Sequence, residues 1–162
     1  MFSKKFLHND PDSYQDAKIS LHDCIADKIS YENNVLTLHF SDGFWITANH
    51  EDSGLDNTVR TDFSQVDFAV TPEKHSYIYL DVFIKRKYRK TIVECWDLDK
   101  LMKVVNSGKY QLEFIYQYTT FFEQMWLCNL HHKGNYGHDC QFHIPYSVAT
   151  YCWNKLRKDI VF

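Results

Sequence analysis

The sequence contains few of the residues that loosen or break a chain. Its 162 residues include only 5 glycines and 3 prolines, which excludes a disordered linker, a low-complexity segment or a collagen-like repeat as the main architecture. The densest apolar run, residues 77–84, is interrupted by Asp81 and is far shorter than the roughly 20 residues that cross a bilayer. The first ten residues carry two lysines with no apolar segment behind them. We therefore expect neither a signal peptide nor a membrane partner.

Motifs that would define a reaction are also missing. The sequence has no Gly-rich phosphate loop, no nucleophile elbow and no HExxH pattern, so no cofactor is expected. The cysteines are an odd number without compact spacing, which predicts reduced thiols in a cytoplasmic protein rather than a disulfide framework. They are Cys24, Cys95, Cys128, Cys140 and Cys152.

The sequence is rich in aromatic residues and in runs where apolar and polar residues alternate. The chain has 12 Phe and 11 Tyr, a composition that favours strands. Apolar residues alternate with polar ones through 35–40 and 110–118, and turn residues separate such runs. This pattern predicts one α+β domain over residues 1–162, built mainly from antiparallel hairpins with seven or more strands and two or three short helices.

Capping residues and spacing indicate where the helices lie. A short helix is predicted over residues 10–18, with Asp10 as N-cap, and a clearer one near 98–106, between Asp97 and Gly108. The tail over residues 147–158 fits either a helix or a strand, and we favour the helix because Val148, Cys152 and Leu156 recur at its spacing.

The turns predict which residues face each other across the hairpins. The turn at 33–34 should place Ile29 opposite Leu38, and the turn at 41–43 should place Phe40 opposite Trp45. In the strand near 110–118, simple alternation groups Tyr116 and Tyr118 with Phe114. The predicted core is Leu36, Leu38, Phe40, Trp45, Ile78, Leu80, Leu101, Val105, Phe114 and Phe142.

The segment CNLHHKGNYGHDCQFH, residues 128–143, has four histidines and two cysteines. A hairpin with a five-residue loop would place His131 opposite His138, so that His131, His138 and Cys140 share one face. Three ligands fit an open metal site, whereas a structural zinc site takes four. A hairpin with polar residues near its tip and a buried Cys140 explains the same residues. We therefore predict no bound metal, and name these three residues as the ligands if one is bound.

The tripeptide His-Asp-Cys occurs twice, at 22–24 and 138–140. On a strand, His22 and Cys24 would share a face and Asp23 would point away. Such neighbours project in parallel and do not converge as a nucleophile and its base must. No catalytic residue is predicted.

One segment is strongly basic. It consists of Lys85, Arg86, Lys87, Tyr88, Arg89 and Lys90. The net charge is −3, residues 1–80 carrying 6 basic and 13 acidic side chains and residues 81–162 carrying 12 and 8. This balance does not favour nucleic acid. We expect the basic segment to be a hairpin tip, and we favour a solvated tip whose lysines block edge-to-edge aggregation. If the chain is an interaction protein, this tip is the predicted contact with an acidic protein surface.

The pattern His22-Asp23-x-x-Ala26, followed by Asn34-x-Leu36-x-Leu38-x-Phe40-x-Asp42-Gly43, resembles the N-terminal meander of small uncharacterised bacterial proteins. Some of these are counted among the immunity proteins of toxin systems. The resemblance covers about residues 20–48 and implies no catalytic residue.

The two functional hypotheses belong to different classes. The first is a non-catalytic cytoplasmic protein that binds another macromolecule, in an immunity-like or regulatory role. The alternative is a small hydrolase or ligand-binding protein with an aromatic pocket containing His and Cys. The sequence leaves the partner's identity and the oligomeric state open.

Overall fold

A computed structural model of the chain describes residues 1–8, 18–51, 57–85, 90–119, 124–132 and 135–161. These residues form fifteen strands, one α-helix, α1 (Leu98–Asn106), and one 3-10 helix (Pro72–Tyr77). The strands are β1 (Lys4–His8), β2 (Ile19–Ser20), β3 (Cys24–Ala26), β4 (Lys28–Glu32), β5 (Val35–Phe40), β6 (Trp45–Ile46), β7 (Val59–Thr61), β8 (Ser64–Val70), β9 (Tyr79–Ile84), β10 (Ile92–Asp97), β11 (Tyr110–Thr119), β12 (Gln124–His132), β13 (Asn135–Ile144), β14 (Tyr146–Trp153) and β15 (Leu156–Val161).

The strands form three sheets in which every pairing is antiparallel. The five-stranded sheet has the order β1-β14-β8-β5-β4, the six-stranded sheet β10-β9-β13-β12-β11-β3, and the four-stranded sheet β15-β7-β6-β2. The predicted antiparallel hairpins are confirmed. The fold is mostly β rather than α+β, with fewer helices than the sequence pattern predicted, and the helix predicted over 10–18 lies outside the described residues apart from Lys18.

The core lies between the five-stranded and six-stranded sheets. Aromatic rings from the two sheets meet there: the ring centroids of Phe68 and Trp126 are 5.5 Å apart, and those of Phe40 and Phe114 are 5.8 Å apart. All ten residues predicted for the core are buried. Burial of this much apolar surface is the main driving force for the fold.

The turn at 33–34 forms as predicted. Asn33 and Asn34 both have positive φ angles, 51° and 64°, which a tight two-residue hairpin turn requires. Ile29 accordingly faces Leu38.

The pairing predicted after the next turn is wrong. Phe40 faces Ser64 in the five-stranded sheet, whereas Trp45 faces Arg60 in the four-stranded sheet. The turn itself closes, with the Gly43 N–H donating to the Phe40 carbonyl at 3.0 Å. A Cβ on Gly43 would lie 2.2 Å from the Thr61 carbonyl oxygen, so the chain approaches β7 closely here. It continues alongside β7 instead of folding back on β5.

The helix predicted for residues 147–158 is also wrong, because this segment contains most of β14 and the start of β15. Strand β14 lies between β1 and β8, and its Ala149, Tyr151 and Trp153 are buried. The two-residue alternation of these side chains therefore prevails over the helical spacing of Val148 and Cys152.

Helix α1 lies where its caps predict. The Lys100 N–H donates to Asp97 Oδ1 at 2.8 Å, and Gly108 after the helix has a φ of 70°. At this C-terminal end, the last helical residue, Asn106, binds the edge strand β4. Its Nδ2 donates to the Ile29 carbonyl at 2.7 Å and its Oδ1 accepts from the Ile29 N–H at 2.8 Å. The helix thereby satisfies backbone groups on an otherwise open edge.

We expect Asn106→Ala to lower the free energy of unfolding by about 1 kcal/mol, because both hydrogen bonds to Ile29 are lost. Urea denaturation followed by tryptophan fluorescence measures this. Lys103→Ala, on the exposed side of the same helix, is the control and should change stability by less than about 0.5 kcal/mol. Equal denaturation midpoints for the two variants would contradict the bracing role of Asn106.

Candidate functional site

The six-stranded sheet has one face in the core and one face directed away from it. On β12, Trp126, Cys128 and Leu130 are buried, and the residues between them are half-buried. We call the second face the outer face. It includes Tyr79, Asp81, Phe83, Val93, Cys95, Gln111, Glu113, Tyr116, Tyr118, Met125, Leu127, Asn129, His131, Tyr136, Asp139, Gln141 and His143.

A hydrogen-bonded cluster lies on the outer face around Glu113. His131 Nε2 is 2.8 Å from Glu113 Oε2, and the Asn129 amide donates to the same oxygen at 3.1 Å. Burial raises the pKa of the Glu113 carboxyl, but the hydrogen bonds from His131 and Asn129 outweigh burial and hold that pKa below its ordinary value. Glu113 is therefore a fixed negative charge on this face.

A second cluster lies around Asp139, one strand away from Asn129. The Lys85 ammonium is 2.6 Å from Asp139 Oδ2, and the Tyr136 hydroxyl donates to Asp139 Oδ1. These two contacts, Lys85 first, hold the pKa of Asp139 below its ordinary value. Burial and the hydrogen bond to Asp139 raise the pKa of Tyr136 to about 12, so Tyr136 stays a neutral donor.

Tyrosines lie elsewhere on the outer face. The prediction that Tyr116 and Tyr118 share a face with Phe114, made from simple alternation along the strand, is wrong. Strand β11 has a bulge between Phe114 and Tyr116, and each bulge reverses the side-chain alternation. Tyr116 and Tyr118 therefore join Glu113 on the outer face and are exposed. Gln117 turns inward, where its amide donates to Gln124 Oε1 at 2.7 Å.

A second bulge separates the three residues named as possible metal ligands. It lies between Leu130 and His131, and it places Cys128 opposite Cys140 and Leu130 opposite His138. Cys140 therefore faces the core, while His131 lies on the outer face with Glu113. The predicted convergence of His131, His138 and Cys140 is wrong. Within the described residues, no three His, Cys, Asp or Glu side chains lie close enough to hold a metal ion.

His22 does not share a face with Cys24. Asp23 has a φ of 56°, so the chain turns here instead of continuing as a strand. His22 Nδ1 lies 3.1 Å from Asp23 Oδ1, and the His22 ring packs on Tyr116 with centroids 5.2 Å apart. His22 thus borders the outer face near Glu113, whereas Cys24 is buried in the core.

The thiols near these histidines are buried and protonated. Burial raises the pKa of Cys24 to about 12, and burial likewise raises the pKa of Cys128 well above its ordinary value. The Cys140 thiol donates to the Cys128 carbonyl at 3.3 Å. Protonated thiols in the core are poor nucleophiles.

The basic segment is described only at its two ends. Lys85 is paired with Asp139, and Lys90 is exposed. Arg86, Lys87, Tyr88 and Arg89 lie outside the described residues. Strands β9 and β10 pair on either side of the segment, so it does connect a hairpin.

A small cleft lies away from the outer face, at the N-terminal end of the chain. It has a volume of about 170 Å³ and is lined by Met1, Phe2, Phe63 and Asn154. The rings of Phe2 and Phe63 stack with centroids 5.8 Å apart. The cleft is aromatic, but its lining contains no His, Cys or carboxylate side chain.

No protein-family model, no curated protein and no solved structure matches this chain. The resemblance of residues 20–48 to immunity proteins stays a prediction. Among the described residues, neither helix has the length and apolar character needed to cross a membrane.

Glu113→Gln should lower the free energy of unfolding by about 1 kcal/mol at pH 7, because the ionised carboxylate gains more from His131 and Asn129 than an amide does. Because the pKa of Glu113 is lower in the folded chain, this stabilisation is fully present at pH values above the ordinary pKa of 4.5. It is lost as the pH falls through the folded-state pKa, so the two proteins should converge in acid. Urea denaturation at pH 7 and at about pH 3 tests the convergence.

Glu32→Gln is the matched control, since Glu32 is an exposed carboxylate at the end of β4. It should change stability by less than about 0.5 kcal/mol at either pH. A Glu113→Gln effect of the same size at both pH values would mean that the charge of Glu113 contributes nothing.

Proposed function

We propose that this chain is a non-catalytic protein that binds another macromolecule through the outer face of its six-stranded sheet, in an immunity-like or regulatory role. The observation that carries the proposal is the row of tyrosines displayed there. The exposed fractions of Tyr116, Tyr118 and Tyr136 are 55%, 43% and 53%. Exposed tyrosines on a rigid sheet are typical anchors of protein interfaces, because a ring gives contact area at low entropic cost.

The charges of the outer face indicate the chemistry of the surface it would contact. Asp81, Glu113 and Asp139 contribute three carboxylates, and Lys85 is the one Lys or Arg in contact with them among the described residues. Tyrosine rings beside carboxylates favour Arg and Lys side chains, which can stack on the ring and pair with the carboxylate. The partner is therefore expected to be a protein that presents basic side chains to this face.

The acidic surface predicted from the basic segment would be a second region of the same partner. Lys85 joins the two contacts, since it begins the segment and also pairs with Asp139 on the outer face. A partner with a basic region facing the sheet and an acidic region facing residues 86–90 would complement both.

The alternative, a hydrolase or ligand-binding protein, has less support. The buried thiols of Cys24, Cys128 and Cys140 face the core, and His131 lies across the sheet from them. The aromatic cleft beside Phe63 is a candidate for a small apolar ligand. Phe63 variants therefore separate the two functions.

Replacing Tyr116 and Tyr118 by alanine should weaken binding of the partner at least tenfold while leaving the fold intact, because both rings are exposed. Wild-type and variant proteins are immobilised and incubated with an extract of the native host, and captured proteins are quantified by mass spectrometry. Phe63→Ala removes a comparably exposed ring from the turn between β7 and β8 and is the control.

The proposal requires one protein to be captured by wild type and Phe63→Ala and depleted on the double variant. The affinity of that protein, measured separately, must be similar for wild type and Phe63→Ala and weaker for the double variant. A partner bound equally by all three proteins, or lost with Phe63→Ala alone, would contradict binding through the outer face.

The basic segment gives a separate prediction. Arg86→Glu with Arg89→Glu should slow association with the partner severalfold at low salt, and the difference should narrow at high salt, because long-range attraction mostly raises the association rate. Stopped-flow kinetics at two ionic strengths measure this. Lys28→Glu with Lys74→Glu reverses two exposed charges elsewhere and is the charge-matched control. Equal association rates for the two double variants would show that the segment is a solvated turn with no role in binding.

A further inference from the structure

Strand β10 is an edge of the six-stranded sheet. It pairs with β9 on one side, and on the other side no described strand pairs with it. Its side chains are unusually open for a strand of six residues. Ile92, Val93, Glu94 and Cys95 are all exposed, with exposed fractions of 37% for Ile92 and 53% for Val93. An exposed edge with β-branched apolar residues is a template for pairing with another strand.

The other edges of the two large sheets are protected in ways that β10 is not. Asn106 of α1 binds the backbone of Ile29 on β4. Strand β3 is three residues long, and β1 begins with Lys4 and Lys5, which is a common protection against edge pairing. Residues 92–97 include no lysine, and the contacts given for Lys100 of α1 are with Glu94 Oε2, at 3.6 Å, and with the Trp96 ring, while Ile92 and Val93 remain exposed.

The two ends of β10 have opposite charges. Lys90 precedes the strand and is exposed, whereas Asp97 and Asp99 at its other end are both exposed and acidic. A strand that pairs antiparallel with β10 would need an acidic end beside Lys90 and a basic end beside Asp97 and Asp99. A second copy of β10 has that charge pattern.

We propose that β10 is a dimerisation edge, at which two copies of the chain pair antiparallel about a two-fold axis through Val93. This inference is independent of the proposed function. A two-fold axis perpendicular to the sheet keeps every side chain on its own face of the sheet. Residues that face each other across two antiparallel strands share a face, so one residue of β10 must lie at the axis and face its own copy. Centring on Glu94 would place two like charges directly opposite each other, which is destabilising. Centring on Ile92 or on Val93 pairs two apolar side chains, and Val93 is the more exposed of the two, at 53% against 37%. Centring on Val93 also brings Lys90 of each copy toward the acidic end of the other.

Cys95 provides a reporter for this register. It is the exposed member of five cysteines, the other four being buried. In the Val93-centred pair, the two Cys95 positions are four residues apart along the strands, or about 14 Å between Cα atoms. That distance suits a bismaleimide of similar span and is too long for a disulfide, which needs Cα atoms within about 7 Å. Burial and the neighbouring Asp81 raise the pKa of Cys95, so labelling is done at mildly alkaline pH.

The first test is the mass in solution. Sedimentation equilibrium of the wild-type chain should give about twice the monomer mass of 19.4 kDa, with dissociation on dilution. Val93→Lys should give the monomer, because two ammonium groups would meet at the axis. Val93→Thr keeps a β-branched side chain and should remain dimeric. Leu7→Lys adds the same charge at the exposed β1 edge and should also remain dimeric.

Charge reversal and cross-linking test the geometry. Lys90→Glu and Asp99→Lys should each weaken the dimer severalfold, and the two changes together should restore it, since each copy's reversed ends again meet opposite charge. The bismaleimide should link wild-type chains through Cys95 and fail to link Val93→Lys. A wild-type monomer at about 100 μM, a Val93→Lys variant that still dimerises, or a Cys95 disulfide formed without the linker would overturn the proposal.

Discussion

The packing of Trp126 between the two large sheets is the contact on which the rest of the structure depends. Its ring lies 5.5 Å from that of Phe68 and 6.2 Å from that of Phe114, and it stacks on Tyr146 at 6.0 Å. A buried indole of this size cannot be moved to the other face of β12 without a large loss of apolar burial. Its position fixes which side of β12 is the core side. The residues between the buried ones, including Asn129, are thereby assigned to the outer face.

Two bulges then decide which chemistry reaches that face. The bulge after Phe114 brings Tyr116 and Tyr118 to the side of Glu113, and the bulge at Gly137 of β13, opposite Leu130 and His131, brings Tyr136 to the same side. Without them, strict alternation would bury the tyrosines and leave Gln117 outside. Gln117 is accommodated inside because its amide has a partner in Gln124. The candidate binding face is therefore produced by irregularities of the strands more than by their regular part.

The strands, most turns and the core could be predicted from the sequence because they depend on neighbouring residues. The alternation of Leu36, Leu38 and Phe40 is visible in six residues, and so is the cap of α1 at Asp97. The bulges could not be predicted, since the extra residue is chosen by packing against strands distant in sequence. The motif His-Asp-Cys illustrates the limit: at 22–24 a left-handed Asp23 separates His22 from Cys24, whereas at 138–140 the same letters lie in a continuous strand. Identical tripeptides take different geometries because their surroundings differ.

The position of β10 relates the edge of the sheet to its outer face. A two-fold axis perpendicular to the sheet leaves the outer faces of both copies on the same side, so pairing at β10 would join two tyrosine-bearing faces into one extended surface. A partner that presented two basic sites at the matching separation would then bind through both, and its dissociation would slow far more than the doubled contact area alone implies. Closure of the β4 edge by Asn106 prevents the same pairing on the other large sheet. The fold thus leaves open the edge that adjoins its candidate binding face, which is where an added strand would enlarge that face.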